Sequence, residues 1–239
     1  MATLFDAAVN PPKLTRQKLE LYHLSHDLRD MLNSMLGFAE LLLEGIDGPL
    51  TANQQVDISA IYTSTQHLQQ IINTLMNLSK LEAGRLQLES EPVNLPDVIH
   101  HLQTTVLPQQ FSAEADITFD VPADLPLITG DRRRLEQMLI YLLDFAVEKS
   151  GAAAVQLTTG SEPAVGVRVS SAAFSLSDEH LAELFNLIAY TDAVGRSRLG
   201  PGGLTLPLTR RLAEALGGSL QAERNAQNGL TFHLKLPAN

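Results

Sequence analysis

The 239-residue sequence contains no cysteine, so a disulfide, a zinc–thiolate site and a catalytic thiol are all excluded. It also has no long run of basic residues, and its formal net charge is -10. Nucleic acid and anionic membranes repel a chain with this excess of negative charge. We therefore expect neither of them as a partner, and we expect the short basic stretch DRRRL at 131–135 to be a solvated helix face.

Long apolar segments are missing as well. No apolar run approaches the ~18–20 residues that span a bilayer. The N-terminal sequence MATLFDAAVNPPKLTRQK lacks the cationic and apolar regions of a signal peptide. Hydrophobic residues make up 44% and charged residues 18%, as in ordinary soluble globular proteins. The sequence thus predicts a cytoplasmic chain with one large domain or two modest ones.

The first part of the chain has the pattern of a helix in a bundle. Residues 1–13 are predicted to be a flexible leader, because NPP discourages helix. Beyond them, apolar residues recur at alternating spacings of three and four, which is typical of a bundle seam. Further apolar residues at 32, 36, 39 and 43 widen the stripe. The seam residues are Leu21, Leu24, Leu28, Met31, Met35, Phe38 and Leu42.

A second helix follows the segment GIDGPLTANQQ, whose glycines and proline end the first one. Thr51 and Gln54 have the spacing of a capping box, which predicts a helix start there. The helix is expected to run from Ala52 to Ala83, with Gly84 as a left-handed cap. One hairpin over 14–84 cannot bury two broad apolar stripes alone, so we expect a homodimeric four-helix bundle.

The remainder, residues 85–239, mixes short alternating segments with apolar helical ones. This order predicts an α+β layer in which helices cover one face of a single sheet. The predicted strands lie in RLQLESEPVNLP, ADITFDV, AVQLTT, VGVRVSS, GSLQAE and LTFHLKL, and the predicted helices at 95–107, 132–149, 178–187 and 206–216.

Several of these segments resemble one protein family in the same order. LSHDLRDMLNSMLGFAELLLEG and INTLMNLSKLEAGRLQLESEPVNL resemble the dimerisation and phosphoacceptor hairpin of sensor histidine kinases. ITGDRRRLEQMLIYLLDFAVEKS and GGLTLPLTRRLAEALGGSLQAERNAQNGLTFHLKLP resemble the ATP-binding domain of that family. The resemblance implies a phosphoacceptor hairpin at 14–84 and, at 85–239, an α/β sandwich like the family's ATP-binding domain.

His26 is the residue that this resemblance singles out. With Leu21 at heptad position a, His26 falls at position f, opposite the seam and open to solvent. The resemblance implies that His26 accepts phosphate, that Asp27 takes the imidazole proton, and that Arg29 supplies nearby positive charge. Asp30 stands where the family often has a threonine or asparagine that orients water, and the usual proline is replaced by methionine.

Two other interpretations of this stretch remain open. His26 and Asp27 could simply be polar residues of an exposed helix face. His23, His26, Asp27 and Asp30 also share one helical stripe, where imidazole and carboxylate groups could bind a divalent metal. The spacing does not distinguish a metal site from coincidence, and none is predicted.

The positions that would bind nucleotide depart from the family pattern. Phe145 falls on the magnesium-chelating asparagine, and a phenyl ring cannot coordinate a cation that prefers oxygen. Ser171 falls on the aspartate that reads adenine. We therefore predict a domain that folds like the kinase domain but binds neither ATP nor magnesium. The degenerate positions are Tyr141, Phe145, Ser171, Ala173, Ser175 and Thr205.

The combined pattern favours a histidine phosphotransferase or pseudokinase. It would exchange phosphate through His26 with the receiver domain of a response regulator, and a sensor kinase is a further possible partner. One alternative is a non-enzymatic dimeric scaffold that binds a kinase or regulator. Another is an atypical but active autokinase, which would bind ATP. Because no sensor domain precedes the hairpin, we expect the stimulus to arrive through another protein or the leader.

Overall fold

The computed structural model of the protein divides the chain into two compact units, Met1–Met76 and Asn77–Asn239. The predicted leader, residues 1–13, lies outside the described part. In the first helix, side chains are described from residue 27 onward. None of the helices in the described ranges is both long and apolar enough to cross a bilayer. The structure describes residues 16–46, 48–111, 115–122, 125–159, 164–172, 176–186 and 205–238.

The first unit contains the predicted helical hairpin. Helix α1 spans Arg16–Leu43 and helix α2 spans Ala52–Glu82, so α2 continues into the second unit. The capping box is confirmed, because the Thr51 N–H donates to Gln54 Oε1 at 2.9 Å and the Gln54 N–H donates to Thr51 Oγ1 at 3.3 Å. Gly84 has a φ of 62°, which confirms the left-handed cap after α2.

A single hairpin leaves much of the described part of its predicted seam uncovered. Among the described side chains of α1 the buried ones are Leu32 and Ala39, whereas Met31 and Phe38 are 63% and 69% exposed. Leu68 on α2 is exposed in the same way. Exposed large apolar side chains at bundle spacing form a face that a partner can cover. The other exposed apolar residues of the hairpin are Met35, Leu41, Ile46, Val56, Ile61 and Leu75.

The second unit is built on a five-stranded sheet in the order β2-β4-β5-β7-β6. β2 pairs parallel with β4, and the other neighbouring strands pair antiparallel. The predicted strands AVQLTT and VGVRVSS pair with each other, in the register Val155↔Val169. The strands are β1 (Glu91–Val93), β2 (Asp116–Asp120), β3 (Ile128–Gly130), β4 (Ala152–Thr159), β5 (Ala164–Ser171), β6 (Ser219–Arg224) and β7 (Leu230–Pro237).

Helices pack on one face of this sheet, as the α+β prediction requires. Alternation along β5 shows the two faces, since Val167 and Val169 are buried while Arg168 between them is exposed. Leu142 and Phe145 from the central helix α5 complete the core. The helices of this unit are α3 (Leu95–His101), α4 (Leu107–Gln110), α5 (Arg132–Ser150), α6 (Asp178–Ala182) and α7 (Leu206–Ala215).

The structure corrects the predicted helix at 95–107. Between α3 and α4 the chain forms a π-helical turn over Leu102–Val106, and the Leu107 N–H donates to the Leu102 carbonyl. Pro108 follows directly. It has no N–H to donate to the Thr104 carbonyl and its ring crowds that group, so the α-helical register cannot continue unchanged.

Three smaller boundaries also differ. The strand predicted in RLQLESEPVNLP is confined to β1, which pairs with the unpredicted three-residue strand β3. Residues 85–90 have no partner strand among the described residues. The helix predicted at 178–187 ends at Ala182. Glu183 has φ -96° and ψ 5°, and the Leu184 N–H donates to the Leu181 carbonyl three residues back. Residue 187 lies outside the described part.

Candidate functional site

The predicted phosphoacceptor residue lies in the middle of α1. Position 26 is helical, and α1 continues unbroken to Leu43 with methionine in place of the proline. The side chain of His26 is not among those described. Its neighbours Asp27 and Asp30 are exposed, whereas Arg29 is half-buried. The helix therefore presents two carboxylates to solvent beside the predicted acceptor position.

Arg29 makes a contact that sequence reasoning missed. Its Nη2 donates to Oδ1 of Asn73 on α2 at 2.9 Å. One turn away, Nε2 of Gln69 donates to Oδ1 of Asn33 at 2.7 Å. In the sequence, the polar residues at 29 and 33 and those at 69 and 73 have the same spacing of four. That spacing places each pair on one helix face, but it does not show which residue of α1 bonds to which residue of α2.

The metal interpretation finds no support in the described part of the chain. There, no three histidine or acidic side chains lie close enough together to hold a metal ion. The side chains of His23 and His26, which that interpretation needs, lie outside the described residues. Asp27 and Asp30 alone provide two exposed carboxylates.

A groove of about 390 Å³ lies between α1 and α2 on the hairpin. Leu32 and Met35 line it from α1, and α2 contributes small and apolar side chains. The groove belongs to the same open apolar face as the uncovered seam. The α2 residues that line it are Ala60, Ile61, Ser64, Thr65 and Leu68.

In the second unit, the position predicted to have lost its magnesium ligand is part of the core. Phe145 is fully buried, and its ring meets that of Phe232 edge-on at a centroid distance of 5.6 Å. Nζ of Lys149 lies 5.8 Å from the Phe145 ring centroid. Magnesium takes oxygen ligands. The ring offers none, so this position does not fit the family's metal ion.

Tyr141, one turn earlier on α5, is also buried, and its hydroxyl accepts a hydrogen bond from Nε2 of Gln137 at 2.7 Å. Ser171 at the end of β5 is buried too. Its Oγ accepts from the Leu230 N–H at 2.9 Å and donates to the Leu230 carbonyl at 3.3 Å. The hydroxyl that is predicted to replace the adenine-reading aspartate therefore bonds to the backbone of β7.

The loop between β6 and β7 packs against the same strand end. Nδ2 of Asn225 donates to the Ser171 carbonyl at 2.9 Å. Gly229 lies so close to the carbonyls of Ser171 and Ala172 that a β-carbon there would overlap them. The backbone beyond Ser171 is thus covered by a glycine that no larger residue can replace.

Thr205 has a structural role at the start of α7. It is fully buried, and its carbonyl accepts hydrogen bonds from the N–H and the Oγ1 of Thr209, both at 2.9 Å. The other degenerate positions, Ala173 and Ser175, lie outside the described residues. So do residues 187–204.

The basic stretch at the start of α5 is engaged with its own helix. Asp131 is the N-cap, and its Oδ1 accepts from the Arg134 N–H at 3.0 Å while its Oδ2 accepts from the Glu89 N–H at 3.1 Å. Arg132 pairs with Glu136 at 3.2 Å, so the arginines form a surface face.

Asp144 is a half-buried carboxylate beside Phe145 that sequence reasoning missed. Burial raises the pKa of Asp144 from 3.8 to about 7. The hydrogen bond from Nε2 of Gln110, at 2.8 Å, opposes this rise by stabilising the charged form, and the nearby charge of Glu148 adds to it. This carboxylate therefore titrates near neutral pH, where an ordinary aspartate stays charged.

Two family descriptions match the chain. Residues 16–84 match the His Kinase A (phospho-acceptor) domain, and residues 130–239 match the histidine kinase-, DNA gyrase B- and HSP90-like ATPase. A similar relative is the circadian input-output histidine kinase CikA of Synechococcus elongatus, 31% identical over 219 residues, which are 90% of this chain and 29% of CikA. The signal transduction histidine-protein kinase BarA of Escherichia coli is 28% identical over 92% of this chain and 24% of its own length.

Solved structures show the same fold. Full-length ShkA, crystallised in complex with AMPPNP, has a TM-score of 0.69 and 24% identity, covering 92% of this chain and 46% of ShkA. The Acinetobacter baumannii histidine kinase AdeS has a TM-score of 0.59 and 21% identity, covering 90% of this chain and 98% of that one. This chain spans less than a third of the length of its curated relatives. With the phosphoacceptor hairpin followed by the ATPase-like domain, it belongs to the sensor histidine kinase family.

Proposed function

We propose that this chain is a histidine phosphotransferase of a two-component signalling pathway, with His26 as the phosphate acceptor, and that it works without ATP. The observation that carries the proposal is Phe145, whose ring is sealed in the core at the position of the family's metal ligand. The acceptor motif, by contrast, keeps histidine and acid together on an accessible helix.

The reaction has a simple balance. A ring nitrogen of neutral His26 attacks the phosphorus of an aspartyl phosphate on a receiver domain. The new N–P bond forms as the P–O bond to the receiver carboxylate breaks, and the imidazole proton passes to the Asp27 carboxylate. Arg29 supplies positive charge as negative charge develops on the transferring group. The reverse reaction delivers phosphate to a receiver domain.

The loss of ATP use follows from the energies involved. Each missing charged hydrogen bond costs about 1.5–3 kcal/mol, and a missing metal ligand costs at least as much. Three such losses sum to ~4.5–9 kcal/mol, which weakens nucleotide affinity by about 10³–10⁷-fold. The positions concerned are 141, 145 and 171.

The proposed partners follow from the hairpin. A response regulator receiver domain would dock near His26, and a sensor kinase would be the upstream source of phosphate. A second copy of the chain would cover the open apolar face around Met31, Met35 and Phe38, giving the four-helix bundle. The relatives with histidine kinase names support this pathway.

The test is transfer from receiver domains carrying radiolabelled aspartyl phosphate. We expect acid-labile label on the chain, lost in His26→Gln and kept in the control His67→Gln, which removes an exposed histidine of α2. Label that persists in His26→Gln contradicts the assignment. If no receiver labels the chain while His26→Gln still signals in cells, a scaffold role replaces phosphotransfer.

A nucleotide titration separates the proposal from an active autokinase. We expect no saturable heat of binding when ATP with magnesium is added at millimolar concentration, and no label on His26 from ATP. Saturable binding together with labelling of His26 would show an autokinase. The control is the same titration on a histidine kinase that has the magnesium-chelating asparagine.

A further inference from the structure

The contact between Arg29 and Asn73 ties the acceptor helix to α2. Arg29 is half-buried, and its guanidinium donates to the side-chain oxygen of Asn73 at 2.9 Å. Residues three apart on a helix are neighbours on one face, so Arg29 lies one turn beyond His26 on the same side. The contact with Asn73 therefore restricts the positions that the Arg29 guanidinium can take near position 26.

The partner of Arg29 is neutral. An asparagine oxygen holds a guanidinium through a hydrogen bond but leaves its positive charge uncompensated. The salt bridges among the described residues do not include Arg29. A carboxylate in place of Asn73 would hold the guanidinium equally well and offset much of its charge.

We propose that Asn73 is a positioning residue for phosphate transfer, holding the Arg29 guanidinium beside His26 without neutralising it. The proposal rests on the proposed role of His26 as phosphate acceptor. A transferring phosphoryl group carries negative charge on its oxygens, and a cation fixed in advance stabilises that charge better than a mobile one.

Asn33 and Gln69 provide an internal comparison. Their hydrogen bond, at 2.7 Å, joins the same two helices one turn further from position 26. Both partners are neutral amides, and Gln69 is half-buried like Arg29. If the polar contacts only hold the hairpin together, removing either one should have the same effect.

Asn73→Asp distinguishes positioning from simple support. Aspartate has nearly the shape of asparagine, and its contact with Arg29 becomes an ion pair. A supporting role predicts unchanged or higher stability and unchanged reactivity of His26. The positioning role predicts unchanged or higher stability together with slower phosphorylation, because the cation near the phosphoryl group is neutralised.

The experiment uses potassium phosphoramidate on the full chain, so that no protein partner is needed. The imidazole nitrogen of His26 forms an N–P bond as the P–N bond of phosphoramidate breaks, and the imidazole proton leaves with ammonia. The initial rate is followed by mass spectrometry of the peptide that carries position 26, and thermal unfolding is measured on the same samples.

We expect Asn73→Asp and Asn73→Ala to slow phosphorylation of His26 about tenfold, the lower bound for losing one charged interaction. The control Gln69→Ala should stay within about twofold of the unsubstituted chain, since a neutral contact is lost away from the reacting group. In an Arg29→Gln background, Asn73→Asp should cause no further slowing.

The outcomes separate the two proposals. If phosphoramidate leaves His26 of the unsubstituted chain unlabelled while it modifies free histidine, the acceptor role fails and the positioning role with it. If His26 is labelled at equal rates in all variants, the acceptor role stands and Asn73 does not position Arg29. Equal slowing by Gln69→Ala, or slowing that follows a lower melting temperature, also contradicts positioning.

Discussion

At the scale of single residues, Phe145 is a core contact at a position where the sequence predicts a lost metal ligand. Its ring is fully buried and lies edge-on against Phe232. Such a pair contributes about 0.5–1.5 kcal/mol beyond the apolar area that it buries. Restoring an asparagine would therefore remove a packed ring and bury an amide among apolar groups.

We predict that Phe145→Asn destabilises the chain by about 3–5 kcal/mol and does not restore ATP binding, because a large cavity and an unpaired amide are created together. Urea unfolding and a titration with ATP and magnesium check this. The control Phe145→Leu keeps an apolar side chain and should cost less than half as much. Unchanged stability with saturable ATP binding would show that the pocket is intact.

Asp144 gives a pH-dependent prediction. Its pKa rises from 3.8 to about 7 on folding because burial disfavours the charge. The folded state thus holds its proton more tightly than the unfolded state. The stabilisation that Asp144 contributes is fully present below about pH 4 and is lost as the pH rises to about 7. Above that pH, the free-energy cost of burying the charged Asp144 carboxylate no longer changes with pH.

Asp144→Asn should therefore stabilise the chain most at pH 8, with a gain that shrinks toward pH 4. Asparagine keeps an oxygen for the Gln110 amide and carries no charge. Melting temperatures at pH 5, 6, 7 and 8 measure the trend. The control is Asp57→Asn, which removes an exposed carboxylate. A gain independent of pH would contradict the raised pKa.

The sequence alone predicts only those features of the candidate site that depend on which residue type occupies a position. The sequence shows that position 145 carries a phenyl ring and position 171 a hydroxyl, whatever their surroundings. It does not show where the substituted side chains go. Ser171 bonds to Leu230, 59 residues away, and Arg29 bonds to Asn73, 44 residues away, and both pairings depend on how the elements pack.

At the scale of secondary structure, the start of α2 depends on one capping box. Thr51 and Gln54 each accept a hydrogen bond from the other's backbone N–H. Replacing an N-cap threonine with alanine leaves a helix N–H without a partner. The helix that follows carries half of the proposed dimer face.

We predict that Thr51→Ala lowers the free energy of unfolding by about 1 kcal/mol, the typical cost of losing an N-cap. Chemical denaturation followed by circular dichroism measures it. Thr63→Ala, at an exposed position in the middle of the same helix, is the control and should be neutral or slightly stabilising. A Thr51→Ala variant as stable as the control would mean that the cap contributes nothing.

Elements with a long periodic pattern were predictable, and short ones were not. The helices α1, α2 and α5 and the strand β5 match their predicted segments to within a few residues. The three-residue strand β3 is too short to show a period, and its existence depends on pairing with β1. The π-helical turn before Pro108 has the same apolar spacing as an ordinary helix, so sequence periodicity could not reveal it.

At the scale of the whole molecule, the two units differ in how completely they bury their apolar residues. The second unit has one continuous core between sheet and helices. In the first unit, the predicted seam residues Met31, Met35 and Phe38 are exposed in a single chain. Monomeric proteins rarely leave a large apolar face open to water, so this difference supports the proposed dimer.

Phe38 is the residue at which the proposed dimer can be tested. It is 69% exposed in the single chain, so Phe38→Glu should change the stability of the hairpin itself little. In a dimer, two glutamates would replace two buried rings. At about 1.5–3 kcal/mol for each lost burial, the dissociation constant of the dimer should rise about 10²–10⁴-fold.

Light scattering after gel filtration should show the mass of two chains for the unsubstituted protein and that of one chain for Phe38→Glu. Leu127→Glu, at an exposed apolar residue of the second unit, should leave the mass unchanged. If the unsubstituted chain is already monomeric at micromolar concentration, the hairpin face is not a dimer seam, and the open groove must have another occupant.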